Sequence, residues 1–150
     1  MIIVTRPGIS DAQIDHLWEG IAAEAFGPSE ASGPREAFGA PDEVRALMSR
    51  LTGKPVHASV TVFPPFYSEF GKNLTLGKDV FINLGCRFQD TGGITIGDGS
   101  LIGHGSTLTT LNHHVDPDRR ADMMPAPIRI GRKVWLGAAV TVVPGVTIGD

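Results

Sequence analysis

The stretch Ile94-Thr95-Ile96-Gly97-Asp98-Gly99-Ser100-Leu101-Ile102-Gly103-His104-Gly105-Ser106-Thr107-Leu108-Thr109 decides the fold. In it an aliphatic residue followed by a small or polar one recurs every six positions, at Ile96-Gly97, Ile102-Gly103 and Leu108-Thr109. The same pairing runs before it at Leu76-Gly77, Ile82-Asn83 and Phe88-Gln89, with a two-residue offset at Gly92-Gly93. It returns after a longer excursion at Ile130-Gly131, Leu136-Gly137, Val142-Val143 and Ile148-Gly149. A period of six matches neither a helix at 3.6 nor an alternating strand at 2. It suits a coil with three short flat sides, an aliphatic residue pointing inward on each and a small residue easing the corner. Stacked coils of this kind form three parallel sheets around an apolar column. Separate strands in a sandwich would instead demand turn residues every ~8–12 positions.

The predicted organisation is therefore mainly β. A three-sided parallel β-solenoid covers residues 56–150, with a loop excursion at about 111–127, and follows a helical region over residues 1–55. In that first region Ser10 and Gln13 form a capping-box pattern, and Ile14, Leu17, Trp18, Ile21 and Ala25 recur at helical spacing until Gly27-Pro28. A Gly/Ser/Pro/Glu-rich stretch to about Ala40 reads as a loop. A second short helix starts at Pro41-Asp42-Glu43, presents Val44, Leu47, Met48 and Leu51, and stops at Gly53. No chemistry is evident in this region, which reads as a helical cap on the larger body.

Composition narrows the function classes. Glycine supplies 19 of 150 residues and proline 11, so turns are frequent. The formal net charge of -3, with no local Lys/Arg cluster, offers no footprint for nucleic acid. Cys86 is the single cysteine, so no intrachain disulfide can form. Arg6 and Pro7 interrupt the first apolar residues before they reach signal-peptide form, and no run approaches the ~18 apolar residues of a membrane span. A cytoplasmic location is expected, with no membrane partner.

The excursion carries the most polar cluster in the repeat region, Asn112-His113-His114-Val115-Asp116-Pro117-Asp118-Arg119-Arg120. A long loop leaving a regular stack is where function commonly sits. A histidine there can serve as a base near neutral pH, and two are adjacent, although both could equally be solvated loop residues. Asn83 takes a hexad position usually held by a small residue, which is also compatible with a side-chain ladder or a tight turn. Asp90, before the Gly92-Gly93 offset, is compatible with a turn-forming acid. Cys86, a lone thiol inside a repeat, reads as a small hydrophobe rather than a nucleophile.

Several runs that combine repeat and non-repeat residues narrow the family. Pro64-Pro65-Phe66-Tyr67, Gly71-Lys72-Asn73, Val80-Phe81-Ile82-Asn83, Val134-Trp135-Leu136-Gly137 and Val143-Pro144-Gly145-Val146-Thr147-Ile148-Gly149-Asp150 together resemble the maltose/galactoside O-acetyltransferase branch of the hexapeptide-repeat acyltransferases. The resemblance covers about Phe63 to Asp150. It implies a left-handed coil, which no general rule would suggest because most parallel crossovers are right-handed. It implies transfer of an acetyl group from acetyl-CoA to a hydroxyl of a sugar or other small acceptor, in a homotrimer and without a metal. On this resemblance His113 is the general base, aligned from Thr107-Leu108-Thr109-Thr110, while His114 falls where relatives often have Pro. Asn83 contacts the acceptor hydroxyl, Asp90 contacts the acceptor or orients the site, and Tyr67, Glu69 and Met123 line the acceptor pocket. Trp135 and the Gly137-Ala138 turn hold the pantetheine arm and aim a backbone N–H at the thioester carbonyl; the Ser that some relatives carry at position 138 is absent. An acid such as Asp116 could fix the His113 tautomer.

Two other classes share such a coil. A zinc-dependent carbonic-anhydrase-like protein would draw on His104, His113 and His114, but the adjacent pair cannot easily serve one tetrahedral site from one strand. A catalytically inactive trimeric scaffold or truncated paralogue is the third class. It is suggested by Ile148-Gly149-Asp150, which opens a new hexad at the end of the sequence where the family implies a further coil.

Overall fold

The computed structural model describes residues 41–150. The helix expected around residues 10–27 and the loop after it lie outside the described residues. Helix α1 (Pro41–Thr52) begins with Pro and two acids and ends at Gly53, whose φ of 69° lets its N–H reach back to the Ser49 carbonyl. Its inner face is Val44, Met48 and Leu51, packed on the β core. Leu47, predicted on that face, is 58% exposed and points to solvent instead. Leu47 lies at the margin of the apolar stripe, about 100° around the helix from Met48, and so turns away from the column.

Fourteen short strands follow among the described residues. The first face of the coil stacks β1 (Thr61–Val62), β4 (Phe81–Ile82), β7 (Leu101–Ile102) and β12 (Trp135–Leu136). The second stacks β2 (Tyr67–Ser68), β5 (Arg87–Gln89), β8 (Thr107–Thr109) and β13 (Thr141–Val142). The third stacks β3 (Leu74–Leu76), β6 (Ile94–Ile96), β11 (Ile128–Ile130) and β14 (Thr147–Ile148). All pairings within these faces are parallel, with Ile82 on Ile102 on Leu136, Phe88 on Leu108 on Val142, and Leu76 on Ile96 on Ile130 on Ile148. These are the hexad starts of the sequence. All but the half-buried Leu76 are buried, which puts the six-residue beat inside the prism.

The corners before the first and second faces add a second inward residue, such as Val80, Cys86, Val134 and Val140, while the third face supplies its own in Leu74, Ile94 and Ile128. Two of the corner positions hold buried serines that remain satisfied, because Ser100 and Ser106 donate to the Gly131 and Gly137 carbonyls of the next coil. The small residue at the corner is required by contact: a Cβ on Gly103 would lie 2.5 Å from the backbone of Gly137.

The breaks in the beat share one edge. From Ser68 to Leu76, from Phe88 to Ile96 and from Leu108 to Ile130 the spacing exceeds six, and each step runs from the second face to the third. The longest break is an antiparallel hairpin of β9 (Leu111–His113) and β10 (Met123–Pro125), joined through a 3-10 turn at Pro117–Arg119. No helix among the described residues is long and apolar enough to cross a membrane.

Candidate active site

His113 ends β9 on the exposed hairpin, directly opposite Met123. Neighbours opposed in an antiparallel pair present their side chains on one face, so Met123 flanks the imidazole. The His113 Nδ1 lies 2.7 Å from the carbonyl oxygen of Arg120. A carbonyl only accepts, so Nδ1 carries the hydrogen, and in the neutral ring the lone pair is on Nε2. Asp116 does not take this part. Its carboxylate accepts the Asp118 N–H and caps the 3-10 turn. His114 is bound differently, its Nδ1 accepting the Asp116 N–H at 3.1 Å. The two adjacent histidines thus hold opposite tautomers, one poised outward and one closing the loop.

Asn83 lies on the edge between the first and second faces. It is buried, and its Oδ1 accepts the N–H of Leu84 at 2.8 Å, which leaves Nδ2 without a partner among the described residues. On the same edge the Asn83 N–H bonds Ile102 O in the next coil, and the Gly103 N–H bonds Leu136 O in the one after. The stack uses the first N–H at the Asn83 and Gly103 corners and not the second; at the Gly137 corner neither the Gly137 nor the Ala138 N–H has a partner among the described residues. Ala139 holds a positive φ of 55° and donates to the His104 carbonyl, which fixes this turn. Trp135 is half-buried beside Leu101, next in an outward column above Phe81.

The second face lies between the Asn83 edge and the hairpin edge. Its outer side forms a shallow depression of about 350 Å³ lined by Tyr67, Ser68, Glu69, Arg87, Phe88, Gln89 and Thr107. Tyr67 and Glu69 were expected at an acceptor pocket. Arg87 and Gln89 were not, although their places flanking the inward Phe88 mark them as outward. The Arg87 guanidinium sits 5.4 Å over the Tyr67 ring and donates to Gly85 O, while Glu69 accepts the Thr91 hydroxyl.

Asp90 belongs to the corner rather than to this open surface. It is fully buried, with Oδ1 accepting from the Ser68 hydroxyl and the N–H groups of Phe70 and Gly71, and Oδ2 from Asn73 N–H. Burial pushes its pKa up, but the donations from Gly71, Phe70, Ser68 and Asn73 outweigh that and hold the carboxyl below the ordinary range. Burial pushes the Cys86 thiol up, against weaker opposing contributions from the backbone of Ser106 and Gly105 and from Arg87, so little thiolate is available. His104 stands on the Asn83 edge and His113 and His114 on the hairpin. No three His, Cys, Asp or Glu side chains of the described residues converge as a metal site.

A family model for the hexapeptide repeat of succinyl-transferase matches residues 73–110 and 127–150, which leaves out the hairpin. Nodulation protein L of Rhizobium meliloti (strain 1021) is 37% identical over 94 residues, 61% of this chain and 51% of that protein. Galactoside O-acetyltransferase of Escherichia coli (strain K12) is 40% identical over 91 residues, 59% of this chain and 45% of that protein. The chain spans about half the length of the curated relatives it matches. Among solved structures, a hexapeptide-repeat containing acetyltransferase of Vibrio cholerae complexed with acetyl coenzyme A superposes with a TM-score of 0.60. It is 30% identical, over 92% of this chain and 72% of that one. The coil is a left-handed parallel β-helix.

Proposed function

The chain belongs to the hexapeptide-repeat acetyltransferases, and from that premise we propose that it transfers an acetyl group from acetyl-CoA to a hydroxyl of a sugar or similar small acceptor. The observation that carries the proposal is the fixed tautomer of His113, an exposed imidazole held through Nδ1 with Nε2 open. In this reading Nε2 removes the acceptor's hydroxyl proton as the oxygen attacks the thioester carbonyl. The Ala138 N–H donates to the oxyanion of the tetrahedral intermediate. Collapse breaks the C–S bond, the His113 imidazolium returns its proton to the departing sulfur, and the products are an ester and CoA.

Asn83 orients the acceptor. Its Oδ1 is engaged by Leu84, so Nδ2 is directed to a lone pair of the incoming hydroxyl. Tyr67, Glu69 and Met123 complete the acceptor pocket, and Trp135 with Gly137 and Ala138 takes the pantetheine arm. Asp90 acts as a positioning carboxylate, since every donor it meets belongs to the preceding corner.

Within one chain the Asn83 edge and the His113 hairpin are separated by the second face. A site shared between subunits of a homotrimer would join one subunit's hairpin to its neighbour's Asn83 edge. Exposed apolar side chains on both parts support this: Val115, Met123 and Met124 on the hairpin, and Leu84 beside Asn83. We place the enzyme in the cytoplasm.

The test is His113→Ala in a thiol-release assay with acetyl-CoA and a panel of sugars. Loss of about 10²–10⁴-fold in turnover is expected for removal of a general base. Wild-type turnover by a folded variant would overturn the assignment. Calorimetric titration with CoA separates an active enzyme from an inactive scaffold, which would not bind it.

A further inference from the structure

We infer that Thr110 is a positioning residue for catalysis, fixing the root of the hairpin that carries His113. The inference rests on His113 being the base, as proposed above. Thr110 follows the last hexad before the excursion and is fully buried. Its hydroxyl donates to Gln89 O at 2.6 Å and accepts the Gly92 N–H at 2.8 Å. Its own N–H also bonds Gln89 O, and its carbonyl accepts the N–H of Ala126. One residue therefore ties the coil below, the offset corner and the returning strand of the hairpin.

The hairpin pairs Leu111 with Pro125 and His113 with Met123, so Thr110 and Ala126 stand at its mouth. There is no slack there. A Cβ on Gly92 would lie 2.9 Å from both Cβ and O of Thr110 and 3.0 Å from Ala126 N. His113 sits three residues further out, roughly 10 Å at strand rise. A tilt of about 6° at the root moves the imidazole by about 1 Å, enough to cost up to about 10²-fold in rate.

The side-chain hydroxyl is the part that the backbone cannot replace. Thr110→Val keeps the shape and the main-chain bonds, but removes the acceptor for Gly92 N–H and the second donor to Gln89 O. Thr110→Ser keeps both. The experiment compares Thr110→Val, Thr110→Ser, His113→Ala and the Thr110→Val/His113→Ala double variant, with melting curves for each. Expected are a fall of about 10- to 100-fold in kcat for Thr110→Val with KM for acetyl-CoA within twofold, and recovery with Thr110→Ser. In the His113→Ala background Thr110→Val has no further effect on the residual rate, because it acts through the imidazole. If Thr110→Val lowers only the melting temperature and leaves kcat of the folded enzyme unchanged while His113→Ala is inactive, the positioning role is refuted. If His113→Ala itself keeps full turnover, it is the general-base reading that fails.

Discussion

The Arg120 carbonyl and the His113 imidazole face each other across the hairpin at 2.7 Å, and that contact gives the ring one orientation and one tautomer. His114, one residue on, uses the same ring nitrogen in the opposite sense, to accept from Asp116 N–H.

Replacing each histidine by alanine separates these roles. His114→Ala loses only a loop-closing acceptor on an exposed segment, so kcat stays within about threefold and stability changes by about 0.5 kcal/mol. Steady-state kinetics of the two variants side by side check this, and equal losses would contradict it.

Asn83 predicts a pattern across two substitutions. Asn83→Asp retains the oxygen that accepts Leu84 N–H but loses the Nδ2 donor, and Asn83→Ala loses both. Both are expected to raise the acceptor KM by about 10-fold, the scale of one hydrogen bond of ~1.4 kcal/mol, and to leave KM for acetyl-CoA unchanged. An Asn83→Asp enzyme with normal acceptor KM would remove Nδ2 from the site.

Asp90→Asn replaces an acceptor with a donor among four converging donors and is expected to cost about 2 kcal/mol, measured by denaturant unfolding. The same carboxyl sets a pH dependence. Its folded pKa lies below the ordinary aspartate value of about 3.9, so the stabilisation is fully present above that value. It is lost as pH falls through the lower, folded value. Comparing unfolding curves of the wild type and Asp90→Asn should show their difference shrinking below about pH 4.

Two corner glycines should respond unequally to alanine. Gly105 has φ of 68° but nothing within 4 Å of an added Cβ, so Gly105→Ala carries only backbone strain, about 1 kcal/mol. Gly103→Ala drives a methyl against the Gly137 backbone at 2.5 Å, where no flexible side chain can yield, and should cost about 3 kcal/mol or prevent stacking. Thermal unfolding ranks them.

The hexad residues made the column legible because burial acts on every sixth side chain, and Ile82, Ile102 and Leu136 meet one above another as their spacing predicts. The first break, between Ser68 and Leu76, is silent in the sequence because the inward residue before it is a serine and leaves no aliphatic mark. The hairpin reads in the sequence only as an interruption, since antiparallel pairing of His113 with Met123 has no counterpart in a six-residue rhythm. Nor can adjacency in sequence separate His113 from His114, whose difference is a choice of hydrogen-bond partner. Asp90 posed a similar limit: an acid before two glycines reads the same whether its carboxyl turns outward or is enclosed by backbone donors.

The lengthened connections all leave from a single edge of the triangular column, between its second and third faces. Material added along that seam lengthens a connection without rotating any flat side out of phase with the one beneath it. At the other two seams every described step from one inward residue to the next spans six residues, so neither seam carries an insertion. New reach, and with it new substrates, can be written into one margin while the text of the column stays unchanged.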